Sequence, residues 1–213
     1  MILLPSIERL VKRCRALAAL ELILSPDWQW RYYSFDSHWS PDEQMASMRD
    51  GCGDEWWMVF HRSGWAALKG LGHESPAWNL HREKLSLALQ GSFPGGFEGF
   101  STEPAFRWNV TSFAFFHAAG NDGWTRVNDL AGYSDDDAGE TQLLAHLVGS
   151  PSDYAAFAKD YYETEIHEHI VAEIFALQPI TEAVVSGLNP STSLGEISQE
   201  LYDQIQYPRA IVV

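Results

Sequence analysis

The sequence predicts an α+β protein: an antiparallel sheet with hairpins in the N-terminal two thirds and an acidic helical C-terminal third. Three observations carry this expectation. All nine tryptophans fall between Trp28 and Trp124. Residues 1–133 hold 15 acids and 12 bases, net −3, whereas residues 134–213 hold 14 acids against Lys159 and Arg209, net −12. Aromatic runs joined by glycine-containing turns precede residue 133, and helix-capping patterns follow it. We therefore expect an aromatic-rich α+β region over 1–133 and an acidic, all-helical region over 134–213, packed together as one compact unit.

Taken in order, Ser6 caps a first helix whose apolar stripe is Ile7, Leu10, Val11, Cys14, Leu17 and Ala18. Trp30–Phe35 has the aromatic content of a strand. Ser40-Pro41-Asp42-Glu43 spells a capping box with proline at the first helical position, so a helix is expected from there to Asp50-Gly51. Glu55–Phe60, the turn His61–Gly64 and Trp65–Lys69 form a hairpin. Ser75-Pro76 opens a helix to about Leu89, and the glycine-rich stretch Phe93–Phe100 is a loop. Val110–Phe116 and Trp124–Val127 make a second hairpin. Beyond Gly132, helices are expected over Gly139–Val148, over Asp153–Tyr162 capped by Ser152, over Glu165–Leu177, over Thr181–Gly187, and after the capping box Ser193–Glu196.

Composition narrows the function classes. With 213 residues, 46% of them hydrophobic and 20% charged, the chain can bury a sizeable core. No apolar run has the roughly 18 residues needed to cross a bilayer, so no membrane partner is expected. In Met1–Leu20 the charges interrupt the apolar residues, which is a poor signal peptide. Two cysteines, Cys14 and Cys52, allow at most one disulfide and favour a reducing, cytoplasmic location with free thiols. The one basic cluster, Lys12, Arg13 and Arg15, sits in a strongly acidic chain, so nucleic acid is not an expected partner.

Few motifs carry chemistry. Ile166–Glu173, IHEHIVAE, nearly spells the zinc-protease pattern, but Val171 stands where the second histidine belongs. On a helix, Ile166, Ile170, Ile174 and Leu177 share an apolar arc, while Glu165, His169 and Glu173 share the opposite polar stripe. A metal there would need another ligand from elsewhere. No metal or cofactor is expected, and the stripe is kept as a candidate binding surface. Asp135-Asp136-Asp137 lacks the alternation of a calcium loop and fits helix capping better. Gly91–Gly96 lacks dinucleotide-binding spacing, and neither a P-loop nor a nucleophile elbow is present.

The stretch Asp50–Ser75 is more informative. Gly51, Gly53 and Asp54 enter a strand, a glycine turn leads into a second strand, and Gly72, His73 and Glu74 leave it. Gly51 and Gly53 permit a sharp turn, and antiparallel pairing should bring Asp54, His73 and Glu74 together at one end of the hairpin. A cysteine nucleophile reading with Cys52, His73 and Asp54 or Glu74 lacks the cationic setting that activates a thiol. The stretch resembles the G-x-G-D … strand … G … strand … H-E pattern of the SUKH superfamily, many of whose members are bacterial immunity proteins that neutralise toxins. Gly51, Gly53 and Asp54 match its entry, and His73 and Glu74 its exit. Leu4-Pro5 match the family's early L-P element, but no Asn-Gly follows the first helix.

The resemblance and the concentrated acid together point to a non-enzymatic binding protein that neutralises a basic partner such as a toxin. No catalytic residues are assigned, and Asp54, His73, Glu74, Glu165, His169 and Glu173 are the candidate binding residues. A structural or regulatory interaction module is the alternative. A carbohydrate-binding protein or hydrolase, with tryptophans stacked on sugars, is the third class.

Overall fold

Six strands follow one another in a single antiparallel meander in the computed structural model, which describes residues 2–128, 132 and 138–210. They are β1 (Tyr33–Ser40), β2 (Glu43–Arg49), β3 (Glu55–His61), β4 (Ala66–Leu71), β5 (Phe113–His117) and β6 (Thr125–Arg126). Among the described residues no strand follows Arg126, and the elements beyond it are helices, so the fold is α+β as expected. Asp135-Asp136-Asp137 lie outside the described residues.

Both faces of the sheet are covered. Alternation along β3 sends Trp56 to one side and Trp57 to the other. The Trp56 indole donates to the Leu143 carbonyl of α5 (Glu140–Leu143) at 3.0 Å, on the side of the first and C-terminal helices. The Trp57 ring meets Phe106 at 5.4 Å, within an aromatic layer that also holds Phe93, Phe97, Phe100 and Trp108. That layer comes from the connection between β4 and β5, which carries α2 (Pro76–His81), α3 (Glu83–Ser92), α4 (Glu98–Ser101) and a 3₁₀ turn, Pro104–Phe106.

The first helix, α1 (Ile7–Leu24), lies at the centre, with ten buried residues. It packs on β1 and is covered in turn by α6 (Ala145–Val148), α8 (Glu168–Phe175) and α9 (Glu182–Leu188). Glu21 is buried within it. Its carboxylate accepts from the Tyr154 hydroxyl at 2.8 Å, the Tyr32 backbone N–H at 2.7 Å and the Tyr162 hydroxyl, joining α1 to β1 and to α7 (Pro151–Tyr162). Burial pushes the Glu21 carboxyl above its ordinary range, against these donors. Of the basic cluster on α1, Lys12 is exposed and pairs with Glu8, whereas Arg13 and Arg15 are half-buried and tied inwards. Arg13 lies over Phe175 and donates to the Gly149 carbonyl at 3.0 Å, and Arg15 lies over Phe35.

Several sequence expectations are corrected. Ser40–Gly51 is not a helix: Ser40 and Glu43 face each other across the β1–β2 turn, and the Ser40 hydroxyl donates to the Glu43 carboxylate at 3.0 Å. A serine and a glutamate three apart satisfy each other equally well across a two-residue turn, where proline and aspartate are also favoured. Pairing of β2 with strands on both sides then overrides helix propensity. Residues Trp28–Trp30 form a 3₁₀ turn capped by Asp27, so the strand begins only at Tyr33. The helix expected from Ser75 to Leu89 breaks at Arg82, which takes φ +45°, and nothing in the local sequence explains that break. The cap of α7 is Ser150 rather than Ser152, because Ser150 and Asp153 complete a capping box around Pro151. The helix expected from Glu165 starts at Glu168, since Glu163 ends α7 in the left-handed region and Ile166 anchors the intervening segment in the core. The capping box at Ser193–Glu196 starts α10 (Leu194–Gln199), which passes into a π-helical turn over Glu200–Gln204.

Candidate functional site

The loop before β3 and the loop after β4 meet at one end of the sheet. Asp50 organises the first of them: its Oδ1 accepts from the backbone N–H groups of Cys52, Gly53 and Asp54 at 2.8, 2.9 and 2.9 Å. Gly51 and Gly53 take φ +77° and +133°, and a Cβ on Gly53 would lie 2.9 Å from the His73 ring. The glycine thus admits the histidine as well as the turn. Asp54 Oδ1 accepts from the His73 backbone at 2.8 Å and lies 2.7 Å from His73 Nδ1, while His73 Nε2 lies 3.8 Å from the Glu74 carboxylate. The three predicted residues are therefore brought together. The hydrogen bond to Asp54, more than anything else, raises the His73 pKa above its ordinary value.

Beside this cluster opens a hollow of about 500 Å³ walled by Asp54, Gly72, Glu74 and Ser75 and by Gly139, Thr141, Gln142 and Leu143. A Cβ on Gly72 would lie 2.8 Å from the Ala138 carbonyl, so the two loops approach backbone to backbone. Both His73 nitrogens face carboxylates, and neither serves the exposed Cys52 as a base. The arrangement is suited to fixing a loop and to presenting negative charge, not to activating a thiol.

The other three predicted residues do not join this cluster. Glu165 lies between α7 and α8, 3.7 Å from Lys159, and so is not on a helical stripe with His169 and Glu173. His169 and Glu173 are exposed on α8, and the His169 ring lies 5.6 Å from that of His167. Among the described residues no group of three or more histidines, cysteines or acids has a geometry that could hold a metal.

A second polar cluster has a buried ion pair at its centre and Arg107 at its rim. Lys69 is fully buried on β4, with its ammonium 3.1 Å from Glu55 and 3.0 Å from the Val110 carbonyl, and Arg107 closes on the same glutamate. Burial pulls the Lys69 pKa down to about 8. With no exposed surface, the amine is a structural charge pinning the aromatic connection to the sheet.

Sequence reasoning missed the surface next to the Asp50 loop. Trp28 and Trp30 are 54% and 67% exposed and Tyr161 is 42% exposed, unlike the tryptophans of the strands. Three residues per turn send positions 28 and 30 to different sides of the 3₁₀ turn, and each tryptophan walls a different hollow. Trp30, Arg49, Asp50, Cys52 and Tyr161 line one of about 350 Å³. The Tyr161 hydroxyl reaches the Asp50 carbonyl at 3.4 Å, joining the end of α7 to the glycine loop. The sequence signal is the pair of tryptophans in a proline- and aspartate-flanked segment, of which the strand expected over Trp30–Phe35 takes in only the second.

Comparison with protein-family models, with curated proteins and with solved structures finds no match to this chain.

Proposed function

We propose that this chain is a non-enzymatic binding protein that docks a basic partner protein, in the manner of an immunity protein. The observation that carries the reading is an exposed aromatic pair with acids beside it. Trp30 and Tyr161 wall one hollow with Asp50 and with two engaged arginines, Arg31 held by Glu200 and Arg49 over the Trp28 ring, and Asp160, Glu163, Glu165 and Glu168 are all exposed along the chain beside Tyr161. Exposed tryptophan and tyrosine are the residue types that anchor interfaces, and acids around them steer a basic surface into contact. The resemblance of Asp50–Ser75 to the SUKH pattern supports the same class, and its Asp50-nested loop forms part of this surface. Against sugar binding, only Trp28 and Trp30 among the nine tryptophans are largely exposed. They serve separate hollows, so they form no continuous stacking platform.

The test is affinity capture with wild-type protein and a Trp30→Ala/Tyr161→Ala variant at about 50 mM and about 300 mM salt, a range over which exposed charge becomes screened. A basic protein is expected on the wild type at low salt, reduced at high salt and lost from the variant. Capture that is indifferent to the double substitution would exclude this surface, and capture of acidic proteins alone would exclude the class of partner.

A further inference from the structure

We infer that the other hollow beside the 3₁₀ turn, at the β1 edge of the sheet, is a binding site for a small organic cation with an apolar body. The cavity measures about 380 Å³, within the range of small-molecule sites. Trp28, Trp39, Trp57, Met45 and Ile205 supply its apolar walls. Trp39 stacks on Phe106 at 5.7 Å and Trp57 packs on the same ring, so these two aromatic walls are held from behind by the core. The floor belongs to β1 and β2, and the far side is closed by the π-helical turn, which contributes Glu200 and Gln204. Such turns are rare and recur at functional sites. Here the change of helical pitch brings residues 200, 204 and 205 to one wall.

Charge selects the class of ligand. Three charged residues line the cavity: Arg31, Asp36 and Glu200. Arg31 is spent, since its guanidinium donates to both Glu200 oxygens, to the Ser25 carbonyl at 3.0 Å and to the Pro26 carbonyl. Glu200 is correspondingly neutralised. Asp36 is different. Its Oδ1 accepts from the His38 backbone N–H at 2.8 Å, and among the described residues no donor reaches its other oxygen. Arg49 covers one face of Trp28 from outside the lining, and Arg15 lies over Phe35; neither reaches Asp36. Aromatic faces and one uncommitted carboxylate together favour a positive charge, because the ring quadrupole and the carboxylate attract it alike. An anion would meet Asp36 uncompensated, and a neutral ligand would gain only the walls. The site does not depend on the protein-docking surface, which lies around Trp30.

The test uses choline and benzyltrimethylammonium against 3,3-dimethylbutan-1-ol, the neutral isostere of choline, with the indole N–H signals of the nine tryptophans as readout in NMR titrations. Saturable shifts are expected at Trp28, Trp39 and Trp57, with choline bound about ten-fold or more tighter than its isostere, as the cation–aromatic contact and the Asp36 carboxylate together allow. Asp36→Asn should bring the two ligands to within about three-fold while the far-UV circular dichroism stays unchanged. Trp39→Ala should weaken the cations as well. Equal binding of choline and its isostere, no saturation by either cation up to about 10 mM, or shifts centred on Trp65 and Trp124 would each overturn the assignment. So would an Asp36→Asn protein that keeps the preference for charge.

Discussion

At the scale of single residues, two carboxylates favour a bound proton in different places, Asp54 on its neighbour His73 and Glu21 on itself. Asp54 lies against His73 and raises its pKa, so the charged imidazole is favoured in the fold. That contribution is fully present below the unfolded value of about 6.5 and is lost as pH rises through the higher folded value. The stability difference between wild type and Asp54→Asn should therefore be largest between about pH 5 and 6.5 and shrink towards pH 8. Urea denaturation of both proteins across that range checks it, and a constant difference would remove the ion pair from the account. Glu21 gives the same sign, through a proton of its own. Its folded pKa is raised by burial, so stability is greatest below its ordinary value of 4.5, declines as pH rises to the folded value, and is level beyond it. Glu21→Gln keeps an acceptor for the tyrosines and should remove that decline. Glu21→Leu strands two hydroxyls and a backbone N–H and should cost about 2–4 kcal/mol, since each buried unsatisfied group is expensive. A loss below about 0.5 kcal/mol would contradict the network.

At the scale of elements, helix starts were legible where side chain and backbone satisfy each other within four residues. Ser193–Glu196 forms the predicted box, and Ser150 forms one with Asp153, two residues before the expected cap. Ser150→Ala and Ser193→Ala should each destabilise the protein by about 1 kcal/mol, whereas Ser152→Ala should be near neutral; thermal denaturation of the three variants distinguishes them. Equal effects at Ser150 and Ser152 would reject the assigned cap. Strands β3 and β4 were legible because an aromatic run, a glycine turn and a second run are contiguous. Residues 40–49 misled because the same four-residue chemistry serves a helix start and a hairpin turn, and only pairing with β1 and β3 decides between them. The cluster of Asp54, His73 and Glu74 was readable from hairpin geometry. Asp50, which nests the loop, and Tyr161, which reaches it from more than 100 positions away, were not. No local pattern encodes a contact of that sequence separation.

At the scale of the whole molecule, the compositional divide near residue 133 does not coincide with a seam in the packing. The first helix belongs to the aromatic region by sequence, yet it is covered by α6, α8 and α9 from the acidic region and packs on β1 from its own. Glu21 bonds to tyrosines of α7, and Arg31 before β1 is held by Glu200 of the π-helical turn. Removing the helical third would expose the outer side of a helix with ten buried residues and strand both of these charges. The two regions should accordingly unfold as one cooperative unit. The sequence supplies the probes: every tryptophan lies at or before position 124, so indole fluorescence is weighted to the aromatic region, whereas most of the described helix after the sheet contributes chiefly to far-UV circular dichroism. In urea the two signals are expected to share one midpoint and one slope, as a two-state transition requires. Midpoints separated by more than about 0.3 M would mean that the helical third melts independently, and the sheet with α1 would then have to be stable without its cover.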